Sequence, residues 1–474
     1  MIEKIILQGE NYMEINKITD EDVKNSINGN TSNYILREYL CGKDVRKIDM
    51  SGLSLEFFKY LSFDENTKFN EEQIAKYNPY EILESAKSFS SSMDKIHNNG
   101  ITGKGIKVAI IDTNLESNDY FKSKSKNINI IKNKSKPGKK EVHGATVLSS
   151  FLSVAPDSEV IYYANDKTDR INKDGNFLSY IEDIIRNHAD VSIVSISASF
   201  NSIENENEAK KILDENGITL ITSPIFYNNF TYSRKSNDKN GNEVFDETFV
   251  EEDEYSIKEK FYQIEDIIKK YNLEGMERKE AINNLIVILK NNGTKEDLGK
   301  ANYLENNMDI ALCTSENEVI KIRKQKIIEE EVEERKENES VEIPCAGRTF
   351  IGKKGVFKYF STASASYTIP QVAALYALAK QQDKDITFEK FITICKETST
   401  IFNSIKSGYK RRIINPEELF IEINKDREGK EKSFSNSLKD LCYEEGEIKK
   451  ACNNSLENNK EIEIQNDEMV KQLL

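Results

Sequence analysis

The chain has 474 residues, enough for a large core and two or three domains. Its 81 acidic against 67 basic residues give a net charge of −14, which argues against nucleic acid and anionic lipid as general partners. Six scattered cysteines with no C-x-x-C spacing argue against a disulfide framework or a zinc site. The chain also has no apolar leader and no uninterrupted apolar run of about 18 residues, so a cytoplasmic protein without a membrane segment is expected.

Residues 1–95 form an N-terminal extension with short amphipathic pieces, "ILREYL" and "LSLEFFKYLSF", and no chemical motif. An α/β pattern starts at residue 96. "GITGKGIKVAIIDTN" is a glycine-bounded loop followed by a buried strand, Ile106 to Ile111. "SEVIYYAN" (158–165), "VSIVSIS" (191–197) and "ITLITSPIF" (218–226) read as further strands, while "FLSYIEDIIRNHAD" (177–190) and "ENEAKKILDENG" (206–217) read as helices. This alternation predicts an α/β fold with a mostly parallel sheet flanked by helices. Residues 230–340 are charged and mostly helical, an insertion that ends in an acidic stretch, "IIEEEVEERKENES" (327–340), expected to be a solvated linker. The α/β pattern resumes over 341–424 and contains "STASASYTIPQVAALYALAK" (361–380), hydroxyl residues running into an apolar helix. Residues 425–474 are a charged, partly helical tail.

Chemistry through an imidazole has only His97, His143 and His188 to draw on. His97 precedes a turn, and His188 ends a helix, where a capping role suits it. His143, in "EVHGATVLSSFLSV", has Gly144 and Ala145 beside it and an apolar helix after it, so its ring can face a cleft; a plain surface histidine fits the same segment. Asp112 ends the strand "KVAIID", at the edge where parallel α/β sheets place their sites. A turn-capping role is the simple alternative there. The order Asp112, His143, then a serine near 366 is one of the known orders for an Asp–His–Ser triad.

Three stretches, "GITGKGIKVAIIDTN", "HGATV" and "SASYTIPQVAALYALA", resemble in order the three sequence blocks of subtilisin-like serine peptidases: V-A-[VI]-[IL]-D-[TS]-G, H-G-T-x-V and G-T-S-x-A-x-P-x-V-A-G. The family nucleophile precedes the block's proline by four residues. With Pro370 as that proline, the nucleophile is Ser366, and Ser361, Thr362 and Ser364 become approach residues. A serine at a helix start has amide groups and the positive end of the helix dipole beside it, which favour an oxyanion. Pro370, read as lying in the first turn, is expected to cost no helical hydrogen bond. The sequence departs from the family blocks at Asn114, Ala145, Ser364, Ala365 and Thr368.

The resemblance also implies an asparagine donor to the oxyanion at the end of "GITLITSPIFYNNF". Strict counting lands on Phe226, so Asn228 is preferred, with Asn229 as the alternative. "ADVSIVSISASF" resembles the family strand that borders the substrate, which implies that Ser195, Ile196 and Ser197 line a channel for an extended peptide. A purely structural strand is equally open.

The expected function is therefore a serine endopeptidase acting on an extended peptide or protein chain through Asp112, His143 and Ser366, with no required cofactor. Calcium is allowed by resemblance alone, since no D-x-D-x-D-G loop is present. The alternative is a catalytically impaired subtilisin-like scaffold that binds a partner. The extension is expected to be either a self-cleaved propeptide, cut in an exposed linker near residues 86–95, or a permanently docked domain held by Phe57, Phe58, Tyr60, Leu61 and Phe63.

Overall fold

The computed structural model describes residues 15–27, 40–115, 118–124, 128–132, 142–165, 176–197, 200, 202–237, 243–247, 254–345, 347–352, 354–360, 363–404, 408–426 and 462–463. Most of "ILREYL", Ser361, Thr362 and nearly all of the charged tail lie outside these residues. In chain order the strands are β1 (Phe63–Asp64), β2 (Lys107–Thr113), β3 (Ile128–Lys132), β4 (Glu159–Asn165), β5 (Ile193–Ile196), β6 (Thr219–Ile221) and β7 (Phe230–Asn237). Then come β8 (Glu243–Glu247), β9 (Val341–Cys345), β10 (Gly347–Ile351), β11 (Val356–Phe360), β12 (Thr400–Asn403), β13 (Lys410–Ile413) and β14 (Ile462–Glu463).

The chain divides into two compact units, 249–337 and the remainder. The larger unit is built on a five-stranded sheet of order β3-β4-β2-β5-β6 in which every pairing is parallel. Its β-branched strands alternate their side chains between two cores. Val108 and Ile110 of β2 face the helices Val142–Leu152 and Ala365–Gln382. Ala109 and Ile111 face the helices Asn176–Asn187 and Ile203–Glu215. This is the α/β architecture the alternating pattern predicts. A second sheet of mixed pairing, β14-β12-β13-β9-β7-β8, and a three-stranded antiparallel sheet, β1-β11-β10, complete the unit.

The extension shares the first of these cores: Phe58, Phe63, Phe69 and Tyr77 belong to the same buried cluster as Tyr359 and the helix 365–382. Its strand β1 pairs with β11, Phe63 opposite Tyr359. The Tyr359 hydroxyl donates to the Lys59 carbonyl at 3.0 Å. The segment expected to be an exposed linker is instead packed, with Ala86, Phe89, Ser90 and Met93 all buried. The buried ammonium of Lys235 donates to the carbonyls of Ser88 and Phe89 at 3.3 and 3.2 Å and pairs with Glu243 at 2.7 Å.

Three stretches differ from the sequence reading. Residues 230–237 and 243–247, expected to open the helical insertion, form the antiparallel pair β7 and β8 of the mixed sheet, and the helical unit begins after them. "ITLITSPIF" is not one strand: β6 stops at Ile221, and the short helix Ser223–Tyr227 follows. Pro224 in that helix's first turn favours the helical start and cannot donate to a strand ladder. The acidic stretch 327–340 is not a linker up to Glu337. It is the end of the helix Glu316–Glu337, whose Glu, Lys and Arg are good helix formers and pair along the surface, as Glu333 does with Lys336 at 2.7 Å.

The smaller unit is helical. Helices Glu254–Lys270, Arg278–Asn292 and Lys295–Asn306 bury Ile264, Ile268, Ile282, Leu285, Leu289 and Leu304 in one cluster. Thr294 caps the third of these by accepting the Asp297 amide at 3.0 Å. Among the described residues no helix is long and apolar enough to cross a membrane.

Candidate active site

Asp112 lies at the carboxyl end of the central strand β2 with its side chain fully buried. Its Oδ1 accepts the Thr113 amide at 2.7 Å, the Thr113 hydroxyl at 3.2 Å and His143 Nδ1 at 2.6 Å. Because a carboxylate only accepts, Nδ1 is the donor in this bond, and in the neutral imidazole that leaves Nε2 as the acceptor. Oδ2 is buried with no hydrogen-bond partner among the described residues.

His143 reaches Asp112 because its helix starts hard against the end of β2. A Cβ on Gly144 would stand 2.7 Å from the Thr113 carbonyl oxygen and 2.9 Å from that of Asn114, and would collide with the Tyr162 hydroxyl. That hydroxyl donates to the Thr113 carbonyl at 2.8 Å and fixes the turn. Glycine is therefore required by close approach and not by a left-handed backbone, and Asn114 is not among the residues with positive φ. The other two histidines have different surroundings. His97 Nε2 pairs with the Val154 carbonyl at 2.8 Å, and His188 follows the helix Asn176–Asn187, at the amino end of β5.

Ser366 is the second residue of the helix Ala365–Gln382 and is partly exposed. The next residue, Tyr367, lies beside the His143 ring with centroids 5.6 Å apart. The start of this helix thus adjoins the Asp112–His143 pair. Pro370 is the sixth residue of the helix and not part of its first turn. It has no N–H to give the Ser366 carbonyl, the bond an ordinary residue would make. The Ser197 hydroxyl supplies that bond instead, donating to the Ser366 carbonyl at 3.0 Å.

The strand residues expected to line a channel have closed side chains. Ser195 and Ile196 are fully buried, and the Ser195 hydroxyl has no partner among the described residues. Ser197 is nearly buried, its hydroxyl engaged by Ser366. Asn228 is an exposed C-cap of the helix Ser223–Tyr227, its amide bonded to the Pro224 carbonyl, and Phe226 is wholly buried. The Asn229 amide group bonds back to the Ile225 carbonyl at 3.1 Å. The stretch 223–227, expected to be strand, is a helical turn that buries Phe226 and ends at Asn228.

Two further residues shape the site. Ser364, the N-cap, accepts the Ser366 amide at 3.2 Å, and the Thr368 hydroxyl donates to the Ser364 carbonyl at 2.6 Å. N-cap preference marks Ser364 in the sequence, while the strand pattern that singles out Ser197 does not reveal its bond to the Ser366 carbonyl. Cys345, buried close to the Ser364 backbone, has its thiol pushed up by burial and stays protonated, so it is no rival nucleophile. Among the described residues no group of three or more His, Cys, Asp or Glu could hold a metal ion.

No family model and no curated protein matches the sequence. Among the solved structures similar to the chain, three are each 11% identical to it. The "PatG macrocyclase domain" matches over 70% of this chain and 95% of its own, TM-score 0.35. MycP1 with its N-terminal propeptide removed matches over 69% and 95%, TM-score 0.33. A second MycP1 structure, described as a serine protease and an essential component of the type VII (ESX-1) secretion system, matches over 69% and 87%, TM-score 0.31.

Proposed function

We propose that the chain is a serine peptidase that uses Ser366 as nucleophile, His143 as general base and Asp112 to orient and charge-stabilise the imidazole. The observation that carries this reading is the 2.6 Å bond between His143 Nδ1 and buried Asp112 beside the helix start that bears Ser366. Ser366 Oγ would bond to the carbonyl carbon of a peptide while its proton moves to His143 Nε2 and the carbonyl π pair moves onto oxygen. His143 would then return the proton to the leaving amine as the C–N bond breaks, and water would hydrolyse the acyl-enzyme. A peptide or protein chain is the substrate class, and no step needs a cofactor. Covalent labelling of Ser366 by a fluorophosphonate, lost in Ser366→Ala and His143→Ala, is the test.

A scaffold without turnover is the second reading. It is favoured by one observation: Asn228 is an exposed helix cap and Phe226, at the counted oxyanion position, is buried and apolar. A folded wild-type chain that takes no label supports it.

A further inference from the structure

The amide that an acyl transfer at Ser366 would use is already engaged. As Ser366 Oγ attacks, negative charge develops on the former carbonyl oxygen, and the donor rigidly attached beside the nucleophile is the Ser366 N–H. In this chain that N–H donates to the Ser364 hydroxyl oxygen at 3.2 Å. Ser364 is not loosely placed. Its backbone is extended, φ −158° and ψ 145°, and its carbonyl accepts the amides of Tyr367 and Thr368 at 3.0 and 3.1 Å. The buried Thr368 hydroxyl adds a third bond to that carbonyl at 2.6 Å. The backbone is thus pinned, and the side chain aims its oxygen at the one donor fixed next to the nucleophile.

We infer that Ser364 is a built-in competitor for the oxyanion donor and slows the reaction at Ser366. This rests on the peptidase reading. Rotation of the Ser364 hydroxyl away from Ser366 N–H frees the donor, and the cost of breaking that bond is added to each acylation. Phe226, at the counted oxyanion position, has no side-chain donor, so the Ser366 amide carries more of the charge and its prior engagement matters more.

The two roles of Ser364 predict opposite orders among variants. Glycine is a tolerated N-cap with no acceptor, while aspartate caps as well as serine. A carboxylate, however, holds the amide harder and repels the oxyanion. The probe is an alkyl fluorophosphonate, whose phosphoryl oxygen takes the oxyanion position as Ser366 Oγ bonds to phosphorus and fluoride leaves. Second-order labelling rates are measured on the full chain for wild type, Ser364→Gly, Ser364→Asp and Ser366→Ala. Thermal melting of each shows that the fold is retained.

Ser364→Gly is expected to label about two- to tenfold faster than wild type, the range of one neutral hydrogen bond. Ser364→Asp is expected to label about tenfold slower or less. If Gly labels no faster and Asp matches wild type, Ser364 is only a helix cap and the inference is overturned. Labelling that Ser366→Ala abolishes then leaves the peptidase reading standing. If neither wild type nor Ser364→Gly takes label, the peptidase reading falls and the inference with it.

Discussion

Ser197 and Pro370 act as a pair although 173 positions separate them in the sequence. The proline takes a donor away from the nucleophile's carbonyl, and the serine hydroxyl gives one back at 3.0 Å. Removing it takes that donor from the carbonyl of the nucleophile itself, and small misplacements of a nucleophile are costly. If the chain is a peptidase, Ser197→Ala is expected to lower kcat on a peptide substrate about ten- to a hundredfold with KM little changed, and Ser197→Thr, which keeps the hydroxyl, to restore most of it. An Ala variant with wild-type kcat contradicts the positioning role. Gly144 shows the same economy in reverse: what it contributes is the absence of a Cβ between the His143 helix and the Thr113 carbonyl.

The mixed sheet is held across its strands by a buried ion pair. Arg411 of β13 meets Glu342 of β9 through two parallel bonds, Nε to Oε1 at 2.9 Å and Nη2 to Oε2 at 2.6 Å. The Tyr409 hydroxyl donates to the same carboxylate at 3.1 Å, and Arg411 Nη1 donates to the Phe245 carbonyl at 3.0 Å. Both charges are nearly out of solvent, so removing one strands the other. Arg411→Leu is expected to destabilise the larger unit by about 3–5 kcal/mol, read as a lower urea midpoint; a change under about 1 kcal/mol contradicts the pairing's structural weight.

Elements with strong local signals are those the sequence reveals. The β-branched run of β2 and the apolar face of the helix Asn176–Asn187 announce themselves, and Asp112 and His143 stand out because each ends or begins such an element. The run 218–226 misleads because a short apolar stretch does not reveal its period, and Pro224 decides it for helix. The start of the helix 365–382 cannot be counted from the hydroxyl cluster alone, so the first-turn position expected for Pro370 is one turn too early. Bonds set by distant chain are invisible beforehand, such as the Phe357 amide to Glu65, 292 residues apart, at 3.0 Å. The same holds for Ser197 on the Ser366 carbonyl.

The two units differ in how they are built. The larger draws strands from both ends of the chain around the parallel sheet, and the smaller is a run of consecutive helices with its own cores. Within the larger unit β8 and β9 are separated only by β7, so the ends that the insertion joins lie about 10 Å apart across the sheet and about 10 Å along it. A flexible Gly–Ser linker of about eight residues spans that gap. Replacing 249–337 with it is expected to leave a soluble, cooperatively melting chain that still takes a fluorophosphonate, while the preferred sequences in a peptide library change. Loss of cooperative melting contradicts the independence of the units, and an unchanged preference removes the insertion from substrate selection.

The measurement that bears most directly on the proposed chemistry is mass-spectrometric mapping of a fluorophosphonate adduct on the full-length chain. The reading of Asp112, His143 and Ser366 as one catalytic set predicts a single adduct on Ser366 in wild type. It also predicts no adduct in Ser366→Ala, and near-complete loss of labelling in His143→Ala. No adduct in folded wild-type protein, an adduct on another residue, or undiminished labelling in His143→Ala contradicts it.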